Sequence, residues 1–126
     1  MAKNYYASFW SEIKEIVEHT EAEYTFRVAY EGEVKPGQFF EVSLPKYGEA
    51  PISASGIGEG TIDLTIRRVG KVTGAVFGLR AGDKIFLRGP YGNGFDVSLF
   101  KGKELIVVVG GTGVSPVRGV LEYFYN

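Results

Sequence analysis

Tyr24, Phe26, Val28 and Tyr30 alternate with Thr25, Arg27 and Ala29, and a period of two turns one set of side chains toward a core and the other toward water. The rhythm returns at Phe40, Val42 and Leu44, where Pro45 then removes a ladder donor. It returns again at Ile62, Leu64 and Ile66 between Thr61, Asp63, Thr65 and Arg67, and at Ile85 and Leu87 before Gly89-Pro90. Turn signals at Pro36-Gly37 and Ala81-Gly82-Asp83 separate the runs. The fold class expected is therefore mainly β, and 18 glycines, eight tyrosines and nine phenylalanines suit short strands joined by tight turns. Trp10, Ile13, Ile16 and Val17 fit helical spacing as well as a strand, and Trp10 to Val17 is read as a strand. Val72, Val76 and Leu79 predict one or two helical turns between Val72 and Arg80.

After Lys103 the pattern changes. Leu105, Ile106, Val107, Val108 and Val109 form a continuous apolar run, as in a strand covered on both faces of a parallel sheet. Gly110-Gly111-Thr112-Gly113 follows, and Val117, Val120, Leu121 and Phe124 then mark a helix with Ser115-Pro116 at its start. A chain of 126 residues suffices for one ordinary core but not for two complete domains. The expected organisation is a barrel over residues 1–102 and a single β-α unit over residues 103–126.

Several chemistries lack the residues they need. A net charge of -1 gives none of the basic excess that phosphate-backbone binding requires, so nucleic acid is not expected as a partner. The longest apolar run is far short of the ~20 residues that span a bilayer, so no membrane is expected and the chain is read as cytoplasmic. Without cysteine there is no disulfide, thiolate zinc or cysteine-held iron-sulfur cluster in this stretch, and no metal ligand set is assigned. His19 is the only histidine and is read as solvated. There is no G-x-S-x-G elbow, G-x-x-x-x-G-K-S/T loop or H-E-x-x-H pair, and Glu12, Glu15, Glu21 and Glu23 read as solvated carboxylates.

Three segments could hold a ligand. Gly110 to Gly113 lies between an apolar strand and a helix start, where amide N–H groups can hold a pyrophosphate; the other reading is a tight turn with no ligand. Arg67-Arg68-Val69-Gly70 with Thr73 combines guanidinium groups, a hydroxyl and a helix start, or is a solvated strand end with a capping threonine. In Arg88 to Phe95, glycines admit a flat ligand on which Tyr91 and Phe95 could stack, or the loop carries an aromatic plug.

Taken in order, Pro36-Gly37-Gln38-Phe39, Pro51-Ile52-Ser53, Gly70-Lys71-Val72-Thr73, Ala81-Gly82-Asp83, Gly89-Pro90-Tyr91-Gly92 and Gly110 to Pro116 resemble the ferredoxin-NADP reductase superfamily. Within it the chain is most similar to the flavin subunits of sulfhydrogenases (gamma), anaerobic sulfite reductase (B) and dihydroorotate dehydrogenase. The resemblance implies a six-stranded antiparallel Greek-key barrel with a short helix, then a nucleotide-binding domain. It implies FAD rather than FMN, NAD(P)H in the full-length protein, and iron-sulfur or hydrogenase-type redox partners. By the same resemblance Pro51, Ile52 and Ser53 lie along the flavin ring, with Ser53 the catalytic residue near its reactive nitrogen. Ile66, Arg67, Arg68, Val69, Gly70 and Thr73 hold the pyrophosphate, and Gly110, Gly111, Thr112 and Gly113 face the nicotinamide cofactor.

Where the family pattern reads R-x-Y/F-S, this chain has Ala50 for the arginine and Ile52 for the aromatic residue. A lost charge-assisted contact is worth about 1.5 to 3 kcal/mol unless Arg67 or Arg68 replaces it. These departures motivate an alternative: a barrel without flavin that serves assembly or docking. One strand and one helix do not make a β-α-β-α-β half, so the chain is expected to be truncated, with the strand 105–109 pairing with another copy as a homodimer or packing on the barrel.

Overall fold

The alternating runs close on themselves. The structure is a computed structural model that describes residues 6–125. β1 (Phe9–Thr20), β2 (Glu23–Ala29), β3 (Phe39–Leu44), β4 (Gly48–Gly58), β5 (Thr61–Arg67) and β6 (Lys84–Tyr91) form a closed barrel in the order β1-β2-β5-β4-β3-β6. Every pairing is antiparallel. β5 returns beside β2 and β6 closes between β3 and β1, which is the Greek-key connection that the resemblance implied.

The inward positions of the alternation form the core. Phe26, Val28, Phe40, Val42, Ile62, Leu64, Ile66, Ile85 and Leu87 are essentially fully buried, as is Ile13. Tyr30 meets Phe40 edge to face at 5.1 Å and stacks on Phe9 at 5.7 Å. Helix α1 (Lys71–Val76) sets buried Val76 against the core, and Phe77 just beyond it stacks on Tyr24 at 4.1 Å. The helix is shorter than the Val72 to Arg80 expected, because Gly78 and Leu79 donate three residues back, to Ala75 and Val76, in tight turns.

The helix-like spacing of Ile13 and Ile16 has a local cause. β1 pairs Ile13 with Val28 but Glu15 with Arg27, so Lys14 is an extra residue in the ladder. That bulge lets two residues three apart both turn toward the core. β4 escaped the alternation pattern altogether, since Pro51 and three glycines interrupt it and its outward positions are small and polar.

Leu105 to Val109 departs from expectation. The segment has no regular secondary structure, and Ile106 is 79% and Val108 91% exposed. The physical reason is that a strand exists by pairing, and a closed barrel has no edge to offer it. Helix α2 (Ser115–Tyr125) does form, and it lies on β4 with Val120 buried. Its fit is close, since a Cβ on Gly119 would sit 3.0 Å from that of Pro36. Among the described residues no helix is long and apolar enough to cross a membrane.

On the outer face, Arg88 donates from Nε and Nη2 to both oxygens of Glu49, at 2.7 and 2.9 Å, tying β6 to β4. These hydrogen bonds hold the Glu49 carboxyl below its ordinary value of 4.5. A carboxylate depressed in the folded state stabilises above its unfolded value, and the contribution fades as pH falls through the folded one. Urea titration should therefore find Glu49→Gln less stable than the parent at pH 7, with the gap closing toward pH 3. In the core, Leu64→Ala should lose about 3 kcal/mol, while exposed Ile106→Ala should change stability by less than about 0.5 kcal/mol in the same assay.

Candidate cofactor site

β4 changes partners halfway along its length. From Gly48 to Ser53 it pairs with β3, and from Ala54 to Gly58 it pairs with β5. A second bulge, at Ser55, sits at the changeover, because Ala54 faces Leu64 while Gly56 faces Asp63. Beyond it the strands diverge, and β5 from Thr65 to Arg67 keeps only β2 as a neighbour. The split leaves one edge of β4 without a strand beside it, where Pro51, lacking an N–H, costs no ladder bond.

A cleft of about 410 Å³ occupies this split, within the size range of small-molecule sites. Ala50, Pro51, Ile52 and Ser53 line it from β4, Thr65 and Arg67 from β5, Val69 and Thr73 from the segment around the start of α1, and Ser115 and Pro116 from α2. Pro51, Ile52, Val69 and Pro116 make its walls largely apolar. The Ser53 hydroxyl has no hydrogen-bond partner among the described residues, and Arg67 brings a positive charge.

The other expected residues divide. Thr73 lines the cleft, but its hydroxyl already accepts from the N–H groups of Val69 and Gly70 at 2.9 and 3.0 Å and donates to the Gly70 carbonyl at 3.3 Å. It shapes the loop, which is the capping alternative raised above. Ile66 is buried in the barrel core, so only its backbone could meet a ligand. Arg68 leans over α1, its Nε 3.9 Å from where a Cβ on Gly74 would lie, and Gly70 precedes the helix with open space around it. Since α1 has only six residues, charge at this end comes from Arg67 more than from a helix dipole. Gly110 lies just before, and Gly111–Val114 within, an exposed 3₁₀ turn closed by Gly113 N–H on Gly110 O at 2.9 Å. The turn does not line the cleft, but Ser115 and Pro116, which follow it, do.

The loop from Arg88 to Phe95 fills itself. Phe95 lies over Gly37, where a Cβ would come 2.7 Å from its ring, and Tyr91 packs on Phe39 at 5.8 Å. This is the aromatic-plug alternative. A larger hollow of about 680 Å³, lined by Phe9, Trp10, Tyr30, Glu12 and Glu31 among others, lies at the start of β1 and carries two carboxylates that would repel a phosphate. The β4–β5 split is therefore the stronger candidate site despite its smaller volume. Thr65 and the outward neighbours Thr25, Asp63 and His19 were missed as site residues, with polar residues at outward strand positions as their only signal, and Ser115 was read only as a helix start.

Residues 11–95 match the family model described as Oxidoreductase FAD-binding domain. The chain is 41% identical, over 95% of its own length, to "Sulfhydrogenase 2 subunit gamma" of Pyrococcus furiosus, of which it covers 44%. It is 40% identical, over 81% of its length, to the "Probable dihydroorotate dehydrogenase B (NAD(+)), electron transfer subunit" of Thermoplasma volcanium, of which it covers 39%. It thus spans less than half of these relatives. Ferredoxin-NADP+ reductase from Plasmodium falciparum has the same fold, with a TM-score of 0.79 over 94% of this chain and 52% of that one, at 16% identity. The barrel and the family match together establish that the chain belongs to the FAD-binding domains of oxidoreductases.

Proposed function

We propose that this chain carries the FAD of a cytoplasmic electron-transfer subunit, in which electrons pass between NAD(P)H, FAD and an iron-sulfur or hydrogenase-type redox partner. The observation that carries the reading is the open edge of β4, which brings a partnerless hydroxyl at Ser53 and the guanidinium of Arg67 into one cleft. That donor set fits the group. A flavin ring is flat, apolar on its faces and rimmed with hydrogen-bonding nitrogens and oxygens. Pro51, Ile52 and Val69 suit the faces, while Ser53 and the β4 edge suit the rim.

Bound FAD supplies the exchange of two electrons with a nicotinamide and of single electrons with an iron-sulfur centre. The chain positions and shields. Ser53 would donate a hydrogen bond to the ring edge, and the apolar wall would exclude water, which strengthens each polar contact inside. Arg67 neutralises phosphate charge in place of the arginine that Ala50 replaces. Residues 1–102 hold the FAD in this reading, and residues 103–126 open the nicotinamide side, consistent with Ser115 and Pro116 reaching the same cleft.

Purified protein given FAD and passed through ultrafiltration should retain about one flavin per chain, absorbing near ~450 nm. Arg67→Gln should weaken FAD binding roughly ten- to a hundredfold, the equivalent of about 1.5 to 3 kcal/mol, with the circular dichroism unchanged. Ser53→Ala should cost about 1 kcal/mol, roughly fivefold, when FAD binding is followed by titration of flavin fluorescence. Complete loss of flavin to the filtrate from the parent protein would favour the docking barrel that Ala50 and Ile52 motivate.

A further inference from the structure

A file of hydroxyl groups crosses the outside of the barrel toward the cofactor cleft. His19 Nε2 lies 2.7 Å from Thr25 Oγ1, Thr25 Oγ1 lies 2.8 Å from Thr65 Oγ1, and Thr65 Oγ1 lies 2.8 Å from Ser55 Oγ. Ser55 Oγ donates to the Asp63 carbonyl at 3.2 Å. The two ends differ in access, since His19 is exposed while Thr25 and Ser55 are buried.

Proton counting fixes the direction. Each hydroxyl has one proton to donate, and that of Ser55 goes to a carbonyl that can only accept. Thr65 must then donate to Ser55, Thr25 to Thr65, and His19 from Nε2–H to Thr25. Thr65 also lines the cleft that holds Ser53, so a ligand acceptor there can take its proton in place of Ser55. Ser55 keeps its bond to Asp63 in that arrangement, and no donor is stranded.

We propose that His19, Thr25 and Thr65 form a proton relay between solvent and the cofactor cleft, an inference that rests on the flavin reading above. In one passage His19 in its imidazolium form gives its Nε2 proton to Thr25, Thr25 gives its own to Thr65, and Thr65 gives its own to a basic atom of the reduced cofactor. Three N–H or O–H bonds break and three form, no electrons move along the file, and neutral His19 regains a proton from water. The charged groups that face His19 across its cleft are Glu23 and Arg27 of β2, Asp63 of β5 and Arg118 of α2. Arg27 is bonded to Asp63 at 2.9 Å and to Glu15 at 3.3 Å, and Arg118 to Glu122 at 2.9 Å and more loosely to Asp63 at 3.8 Å. These pairs hold the cations in place, and the imidazole ring is the group at the solvent end of the file that can both accept and donate a proton.

The test uses the whole chain loaded with FAD and reduced by dithionite in a stopped-flow instrument with a pH-indicator dye. His19→Gln and Thr25→Val should take up the proton roughly tenfold more slowly or worse, with bound flavin unchanged, and Thr25→Ser should restore the rate. In ¹⁵N NMR of the oxidised protein, neutral His19 should carry its proton on Nε2, and adding FAD should shift that resonance in the parent but not in Thr65→Val. Equal uptake rates in parent, His19→Gln and Thr25→Val, or a His19 resonance indifferent to FAD, would overturn the relay while leaving the flavin reading intact. A parent protein that retains no flavin would overturn both.

Discussion

Strand pairing governs this molecule, and the consequential instance is the point where β4 leaves β5. Closing six strands into a barrel satisfies nearly every ladder position, so an opening has to be built in deliberately. Here the bulge at Ser55 starts the divergence, Pro51 makes the open edge inexpensive in hydrogen bonds, and β3 holds the free half of β4 in register through Phe39 to Leu44. The cleft follows from that arrangement. Ser53 and Thr65 point outward at the cleft, while Ile52 and Ala54 of β4 and Leu64 and Ile66 of β5 pack toward the core and anchor the same strands.

The second support is α2. Val120 and the close approach of Gly119 to Pro36 hold the helix on the barrel, and Arg118 reaches the Asp63 that Arg27 already grips. This placement carries Ser115 and Pro116 into the cleft wall and covers the polar faces of β2 and β5. Covering explains why Thr25, Ser55 and Asp63 are buried although they point away from the core, and buried hydroxyls then have to satisfy one another. The hydroxyl file is the result.

Much of the barrel could be read in advance, because inward and outward positions alternate wherever a strand has one face in the core. Phe26, Val28, Ile62, Leu64 and Ile66 illustrate this, and the bulge at Lys14 explains the one strand whose spacing was ambiguous. β4 could not be read this way: its pairing depends on two different neighbours, and its residues are chosen for an edge rather than a core. The apolar run at Leu105 to Val109 misled in the opposite sense, since hydrophobicity signals a willingness to be covered and not the presence of a cover.

For the cleft, Pro51, Ile52 and Ser53 were named from motif resemblance and Arg67, Val69 and Thr73 from their own chemistry as well, and they converge in space, whereas Ile66 and Arg68 point elsewhere. The sequence by itself determined the strand periodicity, the buried set and the chemistry available on the outer face, because those depend on neighbours two to four residues away. Tertiary structure alone decided that β4 parts from β5, that α2 closes the far wall, and that His19 is joined to Thr65 through Thr25. Those relations bring together residues tens of positions apart, and only strand register and the geometry of closure fix them.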